Sequence, residues 1–244
     1  PVLVISPTST SLLKEGPKQR RQFIDFGVFY DDPGFLDLLR RYTRALSHRN
    51  ALVRAKRGHD LAPWNQELNR YGTMIAAARQ HYACALEPFL KSTAGRFLPG
   101  LGGFELKTSA GWNEQKPLLQ VLEDETLSDL RQGYTQSGPH RGDFSIHVDG
   151  RSARAYLSRG QTKLLIYALL LAQSLRMEES PGLYSGSVLM DDIASELDAK
   201  NKTRLLTFMS ERKSQFFITA TDASGFTSIP HTPVEIAQGR LITA

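Results

Sequence analysis

From Gly138 onward, short apolar strand patterns alternate with helical ones, and this most constrains the fold. "SVLMDD" (187–192) and "QFFITA" (215–220) read as strands. The helical pattern of "QTKLLIYALLLAQSL" precedes the first, and a helix from Asp198 to about Glu211 precedes the second. Strands alternating with helices predict a parallel α/β layer. Two hairpin signals flank it: "DFSIHVDGRSARAYL", two strand patterns around an Asp-Gly turn, and "VEIAQGRLIT" near the end.

The first half reads differently. "PVLVIS" reads as a strand, and a Gly-Pro turn at Gly16-Pro17 leads into the mixed basic and apolar "KQRRQFIDFGVFY". Asp31-Asp32-Pro33-Gly34 reads as a helix start. Phe35, Leu39, Tyr42, Leu46 and Val53 then share one helical face, with Arg40, Arg41, Arg44, Arg49 and Arg54 on the others. A second helix begins near Pro63, its seam formed by Leu68, Tyr71, Ile75, Ala78, Tyr82, Ala85 and Phe89. The pair predicts an αα-hairpin, ended by the glycines between 95 and 103. "FELKTSAGW" alternates as a strand does, and Pro117 to Tyr134 reads as one helix.

The charge is unevenly placed. Residues 1–60 hold 11 Lys and Arg against 6 Asp and Glu, and residues 61–244 hold 19 against 19, so the whole net charge of +5 lies in the first quarter. A localised basic surface suits an anionic partner such as nucleic acid. A solvated helix face accounts for the count equally well, as does pairing with acids of the second helix such as Glu67 and Glu87. The one cysteine, Cys84, excludes an internal disulfide and reads as a small core residue, consistent with a reducing, cytoplasmic setting. The apolar run Leu164–Ala172 is far below the roughly 20 residues that span a bilayer.

Two stretches carry candidate chemistry. Asp191 and Asp192 end an apolar strand, where α/β folds place their ligands, and two adjacent carboxylates there call for a cation or a shared proton. Mg²⁺ held largely through water and phosphate oxygens would serve, and so would a plain helix cap. Ser158-Arg159-Gly160-Gln161 heads the long apolar helix. Free amides, the positive end of the helix dipole and a guanidinium favour an anion there, while Ser158 is also a sound N-cap.

Spacing joins these pieces. "LSRGQ" precedes "SVLMDD" by about thirty residues, "SELD" follows, then a helix, then "FFITATD". The ordered set resembles the second half of an ABC-type ATPase head: signature motif, Walker B strand, D-loop and switch strand. Together with "LLKEGPKQRRQFIDFGVFYDDPGF" and "SGPHRGDF", it resembles the RecF family of bacterial recombinational repair ATPases, in register from about Leu12 to Asp222. The family carries a Walker A loop, G-x-x-x-x-G-K-[ST], ahead of this region. No Gly-Lys pair occurs in this chain, and the expectation is a fragment lacking that lobe and inactive alone.

The resemblance implies a fold, a division and a set of roles. The fold would be a partial α/β ATPase head with an inserted helical arm. Residues 1–30 would be a first-lobe remnant and linker, 31–135 the arm, and 136–244 the ATPase lobe. Asp191 would hold Mg²⁺ through water, and Asp192 would orient the attacking water, its short side chain suiting slow hydrolysis. Ser158, Arg159, Gly160 and Gln161 would face the γ-phosphate of ATP on the other subunit. Ser195, Glu196 and Asp198 would line the dimer interface. Thr221 and Asp222 stand where many ABC ATPases place a switch histidine. Arg40, Arg41, Arg44, Arg49 and Arg54 would follow DNA, single- or double-stranded, at gaps or junctions. RecR and RecO proteins and an ATP-dependent second copy would be the partners. A structural hydrogen-bonding role is the expectation for His140 and Arg141. The competing classes are an ATP-independent DNA-binding or scaffold module and a transporter ATPase subunit, against which the basic hairpin and the Ser-Arg-Gly-Gln variant argue.

Overall fold

The computed structural model describes residues 2–179, 186–192, 197–221, 226 and 229–242. The expected parallel layer is a three-stranded sheet. β1 (Val2–Ile5) pairs with β5 (Ser187–Asp191), which pairs with β6 (Gln215–Thr219), all parallel, with Val4, Leu189 and Phe217 in register. A second sheet is antiparallel: β2 (Glu105–Ser109), β3 (Asp143–Val148) and the two-residue β4 (Arg151–Ser152). β7 (Glu235–Ala237) and β8 (Arg240–Ile242) form the closing hairpin.

The helices differ in detail from the sequence reading. The basic stretch after Gly16 is a helix, α1 (Pro17–Asp31), with Pro17 in its first turn, where a missing N–H costs nothing. α2 (Phe35–Arg54) and α3 (Ala62–Phe97) form the expected hairpin. α3 runs on through Pro88 and Gly95, with Leu86, Leu90, Ala94 and Phe97 extending its buried seam. The single helix expected after Pro117 is broken at Glu125 into α4 (Leu118–Asp124) and α5 (Thr126–Gln132). The second strand of the Asp-Gly hairpin stops at Ser152, where α6 (Ala153–Tyr156) takes over. α7 is Arg159–Glu179, and α8 is Ala199–Ser210.

α7 organises the core. Leu165, Ile166, Tyr167, Ala168, Leu169, Leu171 and Ala172 are all buried, and a helix apolar on every side must be enclosed on every side. α3 packs along it, and the buried Thr93 hydroxyl of α3 donates to the carbonyl of Ala168 at 2.8 Å. α1 crosses close to α3 because Gly27 has no side chain: a Cβ there would stand 2.0 Å from the Tyr82 ring. Leu3, Ile5, Val188 and Met190 bury one face of the parallel sheet. On the other face Val2, Val4, Leu189 and Phe217 are exposed.

Three arginine–carboxylate pairs tie the helical segment to its surroundings. Arg20 of α1 holds Asp143 of β3 with two bonds of 2.7 and 2.9 Å. Arg79 of α3 holds Asp25 of α1 in the same way, at 2.7 and 2.9 Å. Arg49 of α2 reaches Asp129 of α5 at 2.6 Å, with both side chains fully buried. Arg49 also donates to Asn65, Thr135 and the carbonyl of Leu122. A buried ion pair offsets its desolvation only when its other polar groups are also bonded, and here each guanidinium nitrogen has a partner.

Cys84 is exposed, contrary to the core placement read from its alanine neighbours. It sits two residues from Tyr82 and Leu86, which hold the buried positions, and so falls off the seam.

Candidate functional site

The C-terminal edge of the parallel sheet carries the acidic candidates. Asp191 ends β5 opposite Thr219, the last residue of β6. The Thr219 hydroxyl donates to the Asp191 carboxylate at 2.6 Å and accepts the backbone N–H of Asp192 at 3.0 Å. Asp192 adopts a left-handed backbone, φ 46°, where Asn and Asp are the residues best tolerated after glycine. The chain therefore turns sharply off the strand at Asp192, and one hydroxyl fixes both the turn and the preceding carboxylate. Thr219 is a functional candidate that the sequence reading missed. Its signal was a polar residue closing an apolar strand, in register with Asp191.

Asp198 caps α8, accepting the backbone N–H of Asn201 at 2.8 Å and its side-chain amide at 3.0 Å. Ser195, Glu196 and Asp222 lie outside the described residues. Thr221 lies just past β6 and is exposed.

At the head of α7, Ser158 and Gln161 form a reciprocal capping box. The Gln161 N–H donates to the Ser158 hydroxyl at 3.3 Å, and the Ser158 N–H donates to the Gln161 side chain at 3.0 Å. The Thr162 N–H makes the first helical bond to the Ser158 carbonyl at 2.8 Å. The cap reading of Ser158 therefore holds locally. Arg159 and Gly160 are exposed, and a Cβ on Gly160 would meet nothing within 4 Å. The turn between the two capping residues is open for an anion.

The basic candidates divide. Arg40 and Arg44 are exposed one turn apart on α2 and line a shallow depression with Thr43, Ser47 and His48. Arg54 is exposed at the end of α2. Arg41 is exposed but held by Asp37 one turn earlier, at 2.6 Å. Arg49 is a correction: it belongs to the buried stripe of Tyr42, Ala45 and Val53, spends its donors inside, and presents nothing to a surface partner. The acids proposed as alternative partners are not used this way, for Glu87 pairs with Lys91 and with the backbone of Leu106, which hold its carboxyl below the usual range.

His140 and Arg141 have structural contacts. The Tyr42 hydroxyl lies 2.7 Å from Nδ1 of His140, and Nε2 lies 3.0 Å from the Thr135 carbonyl. A carbonyl only accepts, so Nε2 carries the proton and Nδ1 accepts from the tyrosine. Burial pushes the imidazole pKa down to about 4. Arg141 lies over the Tyr134 ring, 5.2 Å from its centroid. Gly138 lets this loop pass the Tyr42 hydroxyl: its φ is 139°, and a Cβ would stand 2.5 Å from that oxygen.

Among the described residues, no group of three or more His, Cys, Asp or Glu is placed to hold a metal, and no helix is long and apolar enough to cross a membrane. The donor chemistry at Asp191, an exposed carboxylate at an open strand end, fits a hard cation that keeps most of its water.

A parallel layer with a paired-aspartate strand end, and a signature turn heading its central helix, defines a partial ABC-type ATPase head. The comparisons agree. The chain is 38% identical over 246 residues to the DNA replication and repair protein RecF of Shewanella baltica, covering 99% of this chain and 68% of that one. It is 38% identical over 247 residues to the RecF protein of Shewanella sp. strain W3-18-1, with the same two coverages. A solved structure of the recombination mediator protein RecF-ATP in the RecFOR pathway superposes with a TM-score of 0.81 at 27% identity, covering 92% of this chain and 62% of that one. The RecF-ATPrS structure gives 0.83 at 27% identity, over 98% and 67%. No protein-family model matches. The chain belongs to the RecF family, and it spans 68% of the length of these curated relatives.

Proposed function

We propose that this chain is the signature- and Walker B-bearing part of a DNA repair ATPase that closes head to head on DNA at gaps or junctions. The observation that carries this reading is the open Arg159–Gly160 turn inside the Ser158–Gln161 capping box, in a fold shared with RecF-ATP. Backbone amides at a helix start, reinforced by a guanidinium, favour a terminal phosphate. The phosphate would belong to ATP on a second copy.

Asp191 would hold Mg²⁺ through water, and the metal would supply charge neutralisation at the phosphates. The Thr219 bond fixes the Asp191 carboxylate at the strand end. Asp192, turned by its left-handed backbone, would orient the attacking water, and Asp198 would lie at the dimer interface with Ser195 and Glu196. Thr221 and Asp222 would follow the γ-phosphate state at the switch position. Arg40, Arg44, Arg41 and Arg54 would contact DNA phosphates without reading bases. RecO and RecR proteins are the proposed partners, since the matched structures are of RecF in the RecFOR pathway. A second reading, an ATP-independent DNA-binding module, is favoured for the isolated chain by the absence of any Gly-Lys pair.

The test is a chimera in which the remaining length comes from the Shewanella baltica protein. Arg159→Ala in that chimera is expected to abolish ATP-driven dimerisation while leaving ATP binding to the monomer intact. Loss of monomer binding would overturn the assignment across the interface.

A further inference from the structure

A cleft of about 480 Å³ opens between α1, α3, β2 and the loop that leads to α4, away from both nucleotide elements discussed above. Its walls bring Arg21, Arg79 and Lys116 together with the half-buried indole of Trp112. Its apolar lining mixes Ala76 and Ala77 with the larger Ile24, Leu118 and Phe144.

The charge around this cleft does not balance. Arg21 and Arg79 line it, Arg20 stands behind them on Asp143, and Arg141 is close enough to act on Arg21. Asp143 is taken by Arg20 and Asp25 by Arg79, each through two bonds. Glu114 accepts the backbone N–H of Ala110, and Lys116 pairs with Asp124 on the outer rim. Arg21 makes one hydrogen bond, from Nη1 to the Gly142 carbonyl at 2.8 Å, and forms no ion pair among the described residues. Burial, and then the neighbouring Arg79, lower its pKa, and Asp143 and Asp25, both held by other arginines, offset this only in part.

We propose that this cleft is a binding site for a nucleotide unit, its phosphate on Arg21 and its base against Trp112. A guanidinium has the fork geometry for phosphate oxygens, and base–indole stacking tolerates any base. The volume is in the range of small-ligand sites. The unit is either a free mononucleotide or one residue of a single strand. The proposal stands apart from the arm surface, because Arg40 and Arg44 lie on α2 and take no part in lining the cleft.

The experiment is tryptophan fluorescence of the chain titrated with deoxyadenosine 5′-monophosphate, with deoxyadenosine, and with a short oligothymidylate. A Trp64→Phe background isolates Trp112. Saturable quenching by the monophosphate, weakened at least about tenfold in Arg21→Gln and far weaker for the nucleoside, is the expected result. Quenching by the oligonucleotide alone, with the same loss in Arg21→Gln, also supports the site and makes single-stranded DNA its source. Gln80→Glu, at an exposed lining position, adds a negative charge without touching the arginine network, and it is expected to weaken binding even if Arg21→Gln fails to fold. No saturable quenching by either phosphate ligand, or binding unchanged in the folded variants, would overturn the proposal.

Discussion

The hydroxyl of Thr219 lies 2.6 Å from the carboxylate of Asp191, across the register of two parallel strands. The same oxygen accepts the Asp192 N–H, so a single side chain ties the left-handed turn to the sheet. Thr219→Val keeps the shape and removes both bonds. The expected loss is about 1–2 kcal/mol, read by urea denaturation, with protection of the Asp192 amide from hydrogen exchange reduced. An unchanged midpoint and unchanged exchange would show that the turn is held by something else.

The fully buried Arg49–Asp129 pair predicts a large asymmetry. Arg49→Ala leaves Asp129 charged and enclosed, and the expected cost is about 3–5 kcal/mol. Arg44→Ala on the same helix, exposed and making no ion pair among the described residues, is expected to change stability by less than about 0.5 kcal/mol. Comparable costs for the two would contradict the burial of Arg49.

His140 gives the fold an acid sensitivity. Its folded pKa of about 4 lies below the ordinary 6.5, so between these values the unfolded chain binds more protons than the folded one. Stability from this group is complete above about pH 6.5 and falls as the pH drops toward 4, by up to about 3 kcal/mol. His140→Gln should flatten that part of the profile, measured as unfolding free energy against pH. A profile identical to that of the parent chain would remove His140 as the cause.

Much of this was legible in the sequence. The apolar run of α7, the strand ending in Asp191-Asp192 and the αα-hairpin follow from periodicity, because their burial is decided along the chain itself. Arg49 was misplaced because its partner lies eighty residues away, although its spacing from Tyr42, Ala45 and Val53 did put it on the apolar stripe. The break at Glu125 and the short β4 were missed because hydrophobic patterning does not resolve a one-residue interruption. The Arg20–Asp143 and Arg79–Asp25 pairs, and the cleft beside them, exist only once α1, α3 and β3 are packed together.

The isolated chain lacks any Gly-Lys pair from which a phosphate loop could be built. Calorimetry with ATP and Mg²⁺ on the Arg21→Gln variant, in which the α1–α3 cleft does not contribute, is expected to show no tight site. Micromolar binding at a single site would contradict the reading of this chain as a signature-bearing part that needs phosphate contacts from elsewhere.

We propose that this part of a RecF-family protein meets DNA through the exposed arginines of α2. The most direct test is fluorescence anisotropy of duplex and gapped DNA against salt, with Arg40→Ala/Arg44→Ala compared with the parent chain. The account predicts weaker binding to both DNAs and a salt slope smaller by about two, one for each lost phosphate contact. Unchanged affinity and slope would contradict it and place the DNA surface elsewhere.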